Sequence, residues 1–210
     1  MKSIQLFPEL AQTIDEILGL SILPERIKVL QPLINYIQDK VNSTTSVNLN
    51  FICTHNSRRS QFSQIWAQTA ADLYEIDVNC YSGGVEVTAF NERAVQSMKS
   101  CGFRVSSEGA INPTYSVKYS EHSKSITAFS KVFDDPVNEA NEFAAIMTCS
   151  HADENCPFIP GTEQRIPVRY EDPKEFDDTP VESEMYDERS KQIASEMFYV
   201  FSQIRKHESA

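Results

Sequence analysis

Apolar side chains at Ile27, Leu30, Ile34, Ile37 and Val41 recur at three- and four-residue steps, which places them on one face of a helix. Residues 1–41 read as helical. Pro24 suits a first helical turn, whereas Pro32 is expected to kink or interrupt the helix. Residues 42–46, Asn-Ser-Thr-Thr-Ser, are cap and turn formers and read as a linker. From Val47 the period changes, and Val47, Leu49, Phe51 and Ile52 make a short β-prone run. Phe62, Ile65, Trp66 and Ala70 return to helical spacing. Residues 78–82 read as a second strand closed by Gly83 and Gly84, and residues 92–100 as a second helix stopped by Gly102. Residues 111–133, rich in Ser, Tyr and Thr, show no clear period. Residues 143–148 form a compact apolar run suited to a buried parallel strand, and residues 166–168 suit a short strand. Met185, Arg189, Ile193, Met197, Val200, Phe201 and Ile204 mark a long C-terminal helix. Strands alternating with helices predict an α/β sheet covered on both faces, with ligands at the carboxyl ends of its strands. The predicted organisation is a helical N-terminal extension, residues 1–46, and a catalytic domain, residues 47–210.

Composition narrows the class. A chain of 210 residues fits one domain with an appendage, and 40% hydrophobic with 23% charged residues is ordinary globular usage. No apolar run approaches the roughly 18 residues of a membrane span. Pro8, Glu9, Asp15 and Glu16 interrupt the start, unlike a secretory signal. The net charge of −11 repels phosphate backbones and anionic lipids, so neither nucleic acid nor membrane is an expected partner. Five cysteines without such a signal suggest a reduced, cytoplasmic protein whose thiols fill the core, catalyse or ligate.

One segment concentrates chemistry. Cys53 follows the first predicted strand, and Arg59 lies six positions on, where a helix begins. Such a turn points backbone N–H groups at one spot, and the helix dipole adds positive potential. Residues Thr54, His55, Asn56, Ser57, Arg58 and Ser60 would line an oxyanion cradle. Arg59 would hold two oxygens with its planar fork. The same field favours the Cys53 thiolate. Ser60 can donate a hydrogen bond to the sulfur, and Asn56 can brace the loop. Arg58 has the wrong spacing for the fork and reads as solvent-facing. A strand-end core cysteine beside a surface arginine is the bland alternative.

The run Ile52-Cys53-Thr54-His55-Asn56-Ser57-Arg58-Arg59-Ser60-Gln61 resembles the phosphate loop of low-molecular-weight protein tyrosine phosphatases and of thioredoxin-coupled arsenate reductases, which share their fold. The resemblance covers about residues 47–206 and implies a four-stranded parallel sheet flanked by helices. Cys149 and Cys156, with six residues between them, are similar to the cysteine pair of the reductases. Asp172-Pro173 resembles the Asp-Pro of both subgroups, whose aspartate protonates the leaving oxygen. Lys174 and Glu175 follow it, where phosphatases commonly place aromatic residues.

What the resemblance implies is a three-cysteine relay. Cys53 attacks arsenate, Arg59 and the loop stabilise charge, and Asp172 helps water leave. Cys149 and then Cys156 carry the disulfide outward to an external thiol reductant such as thioredoxin. No tightly bound cofactor is implied. The alternatives are a phosphatase using Cys53, Arg59 and Asp172 alone, and an oxyanion-binding or redox-sensing protein with little turnover. Zinc on Cys149, His151 and Cys156 would want a fourth ligand, and no second Cys/His cluster is evident. Gln64 stands where the potassium-binding reductases carry an acidic ligand, so no metal is expected. Cys80 and Cys101 read as packing residues; His122 and His207 receive no role. The acidic run 171–178 reads as a solvated loop apart from Asp172. Residues 111–141 are longer than the resemblance requires and suit a β-hairpin insertion that covers the site or meets a partner.

Overall fold

The computed structural model of the chain describes residues 4–138, 141–155 and 158–206. Two helices come first, α1 (Pro8–Leu18) and α2 (Pro24–Asn42), each with proline in its first turn, where the missing N–H costs nothing. α2 runs through Pro32 without interruption, contrary to expectation. Pro32 and Lys28, whose carbonyl loses its donor, both lie on the exposed side, where water can serve that carbonyl.

There follow β1 (Val47–Cys53), α3 (Arg59–Tyr74), β2 (Val78–Gly84) and α4 (Glu92–Ser100). Then come β3 (Arg104–Glu108), β4 (Thr114–Lys118), β5 (Ile126–Ala128), β6 (Phe143–Met147), α5 (Ser150–Asn155), β7 (Thr162–Pro167) and α6 (Glu182–Ser202). β2, β1, β6 and β7 form, in that order, a four-stranded parallel sheet. All five residues of β6 are buried, as a strand covered on both faces requires.

The stretch without a clear period holds β4 and β5, which with β3 just before it form a second, antiparallel sheet. Its inward positions are Tyr115 and Val117 on β4 and Ile126 and Ala128 on β5. Two buried positions per short strand are too few to stand out from the surrounding Ser and Thr.

Trp66 of α3 is wholly buried, edge-on to Phe103 at 4.9 Å and to Phe198 of α6 at 6.4 Å. Its indole N–H donates to Ser190 at 3.0 Å. The apolar face of the N-terminal helices is covered by this same core. Leu10, Ile14, Ile17, Leu30, Leu33 and Ile37 share one packed cluster with Trp66 and Phe198, and each such burial stabilises by roughly 1.5–3 kcal/mol. The fit at α1 is close. Gly102, at φ +99°, lies where an added Cβ would stand 2.3 Å from the Leu10 nitrogen. Among the described residues no helix is long and apolar enough to cross a membrane.

Candidate active site

β1 ends at Cys53 and α3 begins at Arg59, so the connecting loop caps the carboxyl end of an interior strand. Its carbonyls are turned outward and occupied. Thr54 O accepts from the Val85 and Glu86 N–H groups at 2.8 and 2.9 Å, and His55 O from Ser130 Oγ at 2.8 Å. Asn56 O accepts from Gln61 Nε2 at 3.0 Å and Ser57 O from the Asn91 N–H at 3.0 Å. In a planar trans peptide, a carbonyl facing out turns the N–H of the same peptide the opposite way, into the loop. Gly83 and Gly84 belong to β2 rather than closing it. A Cβ on Gly84 would stand 2.8 Å from Asn56 N and 2.9 Å from Thr54 O, so glycine is what lets the loop sit down on the strand.

Asn56 is wholly buried at φ +47°, a left-handed conformation that asparagine tolerates. Its Oδ1 accepts from the Lys131 N–H at 3.0 Å, which fixes the amide orientation. Its Nδ2 then donates to Ser60 Oγ at 2.9 Å, and Ser60 Oγ lies 3.0 Å from Cys53 Sγ. With its oxygen receiving Asn56, the serine hydroxyl keeps its proton for the sulfur.

Arg59 donates from Nη2 to Asp172 Oδ2 at 2.5 Å and from Nη1 to the Tyr170 carbonyl at 3.1 Å. Its Nε is buried without a hydrogen-bond partner among the described residues. Asp172 Oδ1 accepts from the Lys174 N–H at 3.1 Å and caps the short 3-10 turn Pro173–Phe176. Arg58 is not solvent-facing as expected. Only 12% of its side chain is exposed, Nε donates to Tyr186 of α6 at 2.9 Å, and Asp172 and Asp177 lie within 4.0 Å. Of the acidic run, Glu171, Glu175 and Asp178 are exposed as expected, whereas Asp177 is partly buried beside Arg58. Asp177 accepts from Tyr186, and Arg93 pairs with Asp178 and Glu182 at 2.7 and 2.6 Å. Burial, and then the bond to Asp177, push the Tyr186 phenol up to about 12.

Cys149 follows β6 at the entry to α5. The Ala152 N–H points at its sulfur at 3.4 Å, and Thr54 Oγ1 lies 3.5 Å from it. Cys53 and Cys149, 3% and 1% exposed, belong to one packed cluster with Ile52, Met147, Ala152 and Ile159. Thr54 Oγ1 also lies 3.2 Å from His151 Nδ1. His151 was weighed in the sequence only as a zinc ligand. Its place two residues after a strand-end cysteine was the available signal. Cys156 and His207 lie outside the described residues. Cys53, Cys80, Cys101 and Cys149 are free thiols. Burial pushes the Cys80 thiol well up and that of Cys101 to about 11, which suits packing groups.

β5 and the residues that follow it support the loop and the start of α3. Ser130 and Lys131 make the bonds to His55 and Asn56 given above, and the Phe129 carbonyl accepts from Gln61 Nε2 at 2.8 Å. Gln64 accepts from Ser82 Oγ at 2.6 Å and donates to the Thr127 carbonyl at 3.3 Å. Lys131, unnoticed in the sequence, is 3% exposed, and burial pushes its ammonium down to about 8. Its Nζ lies 4.6 Å from the Phe129 ring centre. Among the described residues no three His, Cys, Asp or Glu side chains converge as a metal site.

Comparison with known proteins adds a second line. No protein-family model matches the chain. The arsenate reductase of Staphylococcus aureus is 32% identical over 130 residues, spanning 61% of this chain and 80% of that protein. A crystal structure of a YwlE mutant from Bacillus subtilis superposes with a TM-score of 0.49 at 12% identity, over 75% of this chain and 98% of that one. The thioredoxin-dependent arsenate reductase of Corynebacterium glutamicum superposes with a TM-score of 0.38 at 15% identity, over 90% of this chain and 81% of that one.

Proposed function

Since the chain belongs to the low-molecular-weight protein tyrosine phosphatase superfamily, close to the arsenate reductases, we propose that it reduces arsenate to arsenite through Cys53, Cys149 and Cys156. The observation that carries the reading is the placement of the Cys149 thiol, 3.5 Å from the side chain of the residue that follows Cys53 and in the same packed cluster as Cys53. A phosphatase needs no second thiol there.

The Cys53 thiolate attacks arsenic, an As–O bond breaks, and Asp172 supplies the proton with which that oxygen leaves as water. The inward N–H groups and the unpartnered Nε of Arg59 take up the oxyanion charge. Binding requires the Arg59–Asp172 pair to loosen, which frees the carboxyl for its proton transfer. Cys149 then attacks Cys53 Sγ. An S–S bond forms, the S–As bond breaks, and its electron pair stays on arsenic, which leaves as arsenite. The Thr54 hydroxyl stands where it can relay the Cys149 proton to His151 Nδ1. Cys156 attacks Cys149 Sγ and releases the Cys53 thiolate. An external dithiol of the thioredoxin class reduces the Cys149–Cys156 bond, so two electrons pass from dithiol to arsenate. Free thiols of this kind need a reducing compartment, which the cytoplasm supplies.

NADPH consumption with thioredoxin, thioredoxin reductase and arsenate tests the reading. It should be steady in the parent and lost in Cys53→Ser, Cys149→Ser and Cys156→Ser. Retention of full turnover by Cys149→Ser would overturn it. The phosphatase reading has its own support, because the Cys53–Ser60 contact and the Arg59–Asp172 pair form without help from the other cysteines. It predicts phosphomonoester hydrolysis that survives Cys149→Ser and no arsenate-dependent NADPH consumption. A binding protein without turnover would show neither activity and would keep oxyanion affinity in Cys53→Ser.

A further inference from the structure

Arg26 stands in the first turn of α2, in the segment that precedes the parallel sheet. Its Nε and Nη2 donate in parallel to Glu196 of α6, at 2.8 and 2.6 Å. Its Nη1 donates to the Arg169 carbonyl at 3.2 Å, and its guanidinium lies 5.0 Å from the Tyr170 ring centre. The Glu196 carboxylate, 2% exposed, also accepts the Tyr170 hydroxyl at 2.8 Å. Residues 169 and 170 are thus gripped at a carbonyl, a ring face and a phenol.

On its other side the same short segment serves the site. The Tyr170 carbonyl accepts from Arg59 Nη1, and the Tyr170 N–H donates to Thr148 O, one residue before Cys149. Asp172 is two residues further on. A buried ion pair is a poor fastener for two helices, because desolvation offsets most of its attraction. Leu30, Leu33 and Ile37 already bury that face. What the ion pair adds is a fixed position for residues 169–172.

We infer that the N-terminal helices are a working part of the active site, with Arg26 acting through Glu196 and Tyr170 as a positioning residue for Asp172 and Arg59. The inference rests on the reading of Asp172 as the group that protonates the leaving oxygen. Arg26 touches no reacting atom; its removal lets the segment drift, and misplacement of this kind costs about 10- to 100-fold in turnover.

The test uses the full chain carrying Arg26→Gln with Glu196→Gln, which leaves no buried carboxylate unpaired. Hydrogen exchange should quicken about tenfold or more in residues 168–174 while α3 stays as protected as in the parent. Arsenate turnover should fall in this variant, yet show a clearly smaller further loss when the pair is added to Asp172→Asn, where only the hold on Arg59 remains to be lost, because groups acting through one another are not additive. Unchanged exchange in residues 168–174 overturns the inference. So does faster exchange throughout α3, or an equal loss of turnover with and without Asp172. If the parent turns over no arsenate, the relay falls instead; the same four proteins are then compared on p-nitrophenyl phosphate, and exchange judges the clamp independently.

Discussion

Replacing Lys131 by methionine should stabilise the protein near neutral pH. The ammonium is 3% exposed and faces the Phe129 ring, with one long bond of 3.4 Å to a carbonyl. Burial lowers its pKa from 10.5 to about 8, so the folded state holds the proton less tightly than the unfolded chain. Between about pH 8 and 10.5 the unfolded state binds more protons, and the parent gains stability as pH rises through that window. Below it the whole penalty is present. The span corresponds to about 3 kcal/mol at 1.36 kcal/mol per unit. Methionine has similar reach, carries no charge, and leaves intact the Lys131 main-chain bond to Asn56. Guanidinium unfolding, followed through the single tryptophan, Trp66, should therefore show a gain of about 3 kcal/mol at pH 7 that fades to nothing by pH 10.5. Tyrosines and cysteines titrate in both proteins and cancel in the difference. A gain independent of pH, or a loss at pH 7, would refute the reasoning.

Ser60→Ala removes the hydroxyl 3.0 Å from Cys53 Sγ. A hydrogen bond to a charged group is worth about 1.5–3 kcal/mol, and the greater nucleophilicity of a less stabilised thiolate offsets about half of the loss, so alkylation of Cys53 by iodoacetamide at pH 7, mapped by mass spectrometry, should slow by about 3- to 12-fold. A rate within about twofold of the parent would show that the serine does not stabilise the thiolate. Arg59→Lys keeps a charge but loses the fork and the buried Nε, so inorganic phosphate should compete at least about tenfold more weakly, as read by calorimetry. Gly102→Ala combines φ +99° with a Cβ 2.3 Å from Leu10 N. It should cost about 2–4 kcal/mol in chemical denaturation, and a neutral result would mean that α1 does not sit against that turn.

The parallel sheet was legible because β1 and β6 are apolar and the helices periodic; the edge strand β7, Thr162–Pro167, is mostly polar with only Ile166 buried, so only its end stood out. The loop was legible because Cys53, Arg59 and Ser60 crowd into eight consecutive positions of the chain, so spacing alone brings them together. Arg58 was misread because its partner, Tyr186, lies 128 positions away. Lys131 gave no signal at all, since its contribution to the loop is a main-chain N–H, which every residue except proline carries. The coverage of α1 and α2 was similarly hidden. An apolar face announces that it is buried and says nothing of what buries it.

The ties that β5 and the residues after it make to the loop and the start of α3 are, on their own side, mostly main-chain. The Thr127 and Phe129 carbonyls and the Lys131 N–H hold Gln64, Gln61 and Asn56, and only Ser130 contributes a side chain. Substitution and deletion therefore have unequal consequences in this region. The exposed Thr127 and the half-buried Phe129 can drift over evolutionary time without disturbing the cradle, provided the strand still pairs, whereas Ile126 and Ala128 are held by the core. Removing one residue there would displace each tie by a register step and turn carbonyls to where N–H groups are needed. Chains that share this site are expected to vary in spelling across the segment and to keep its length.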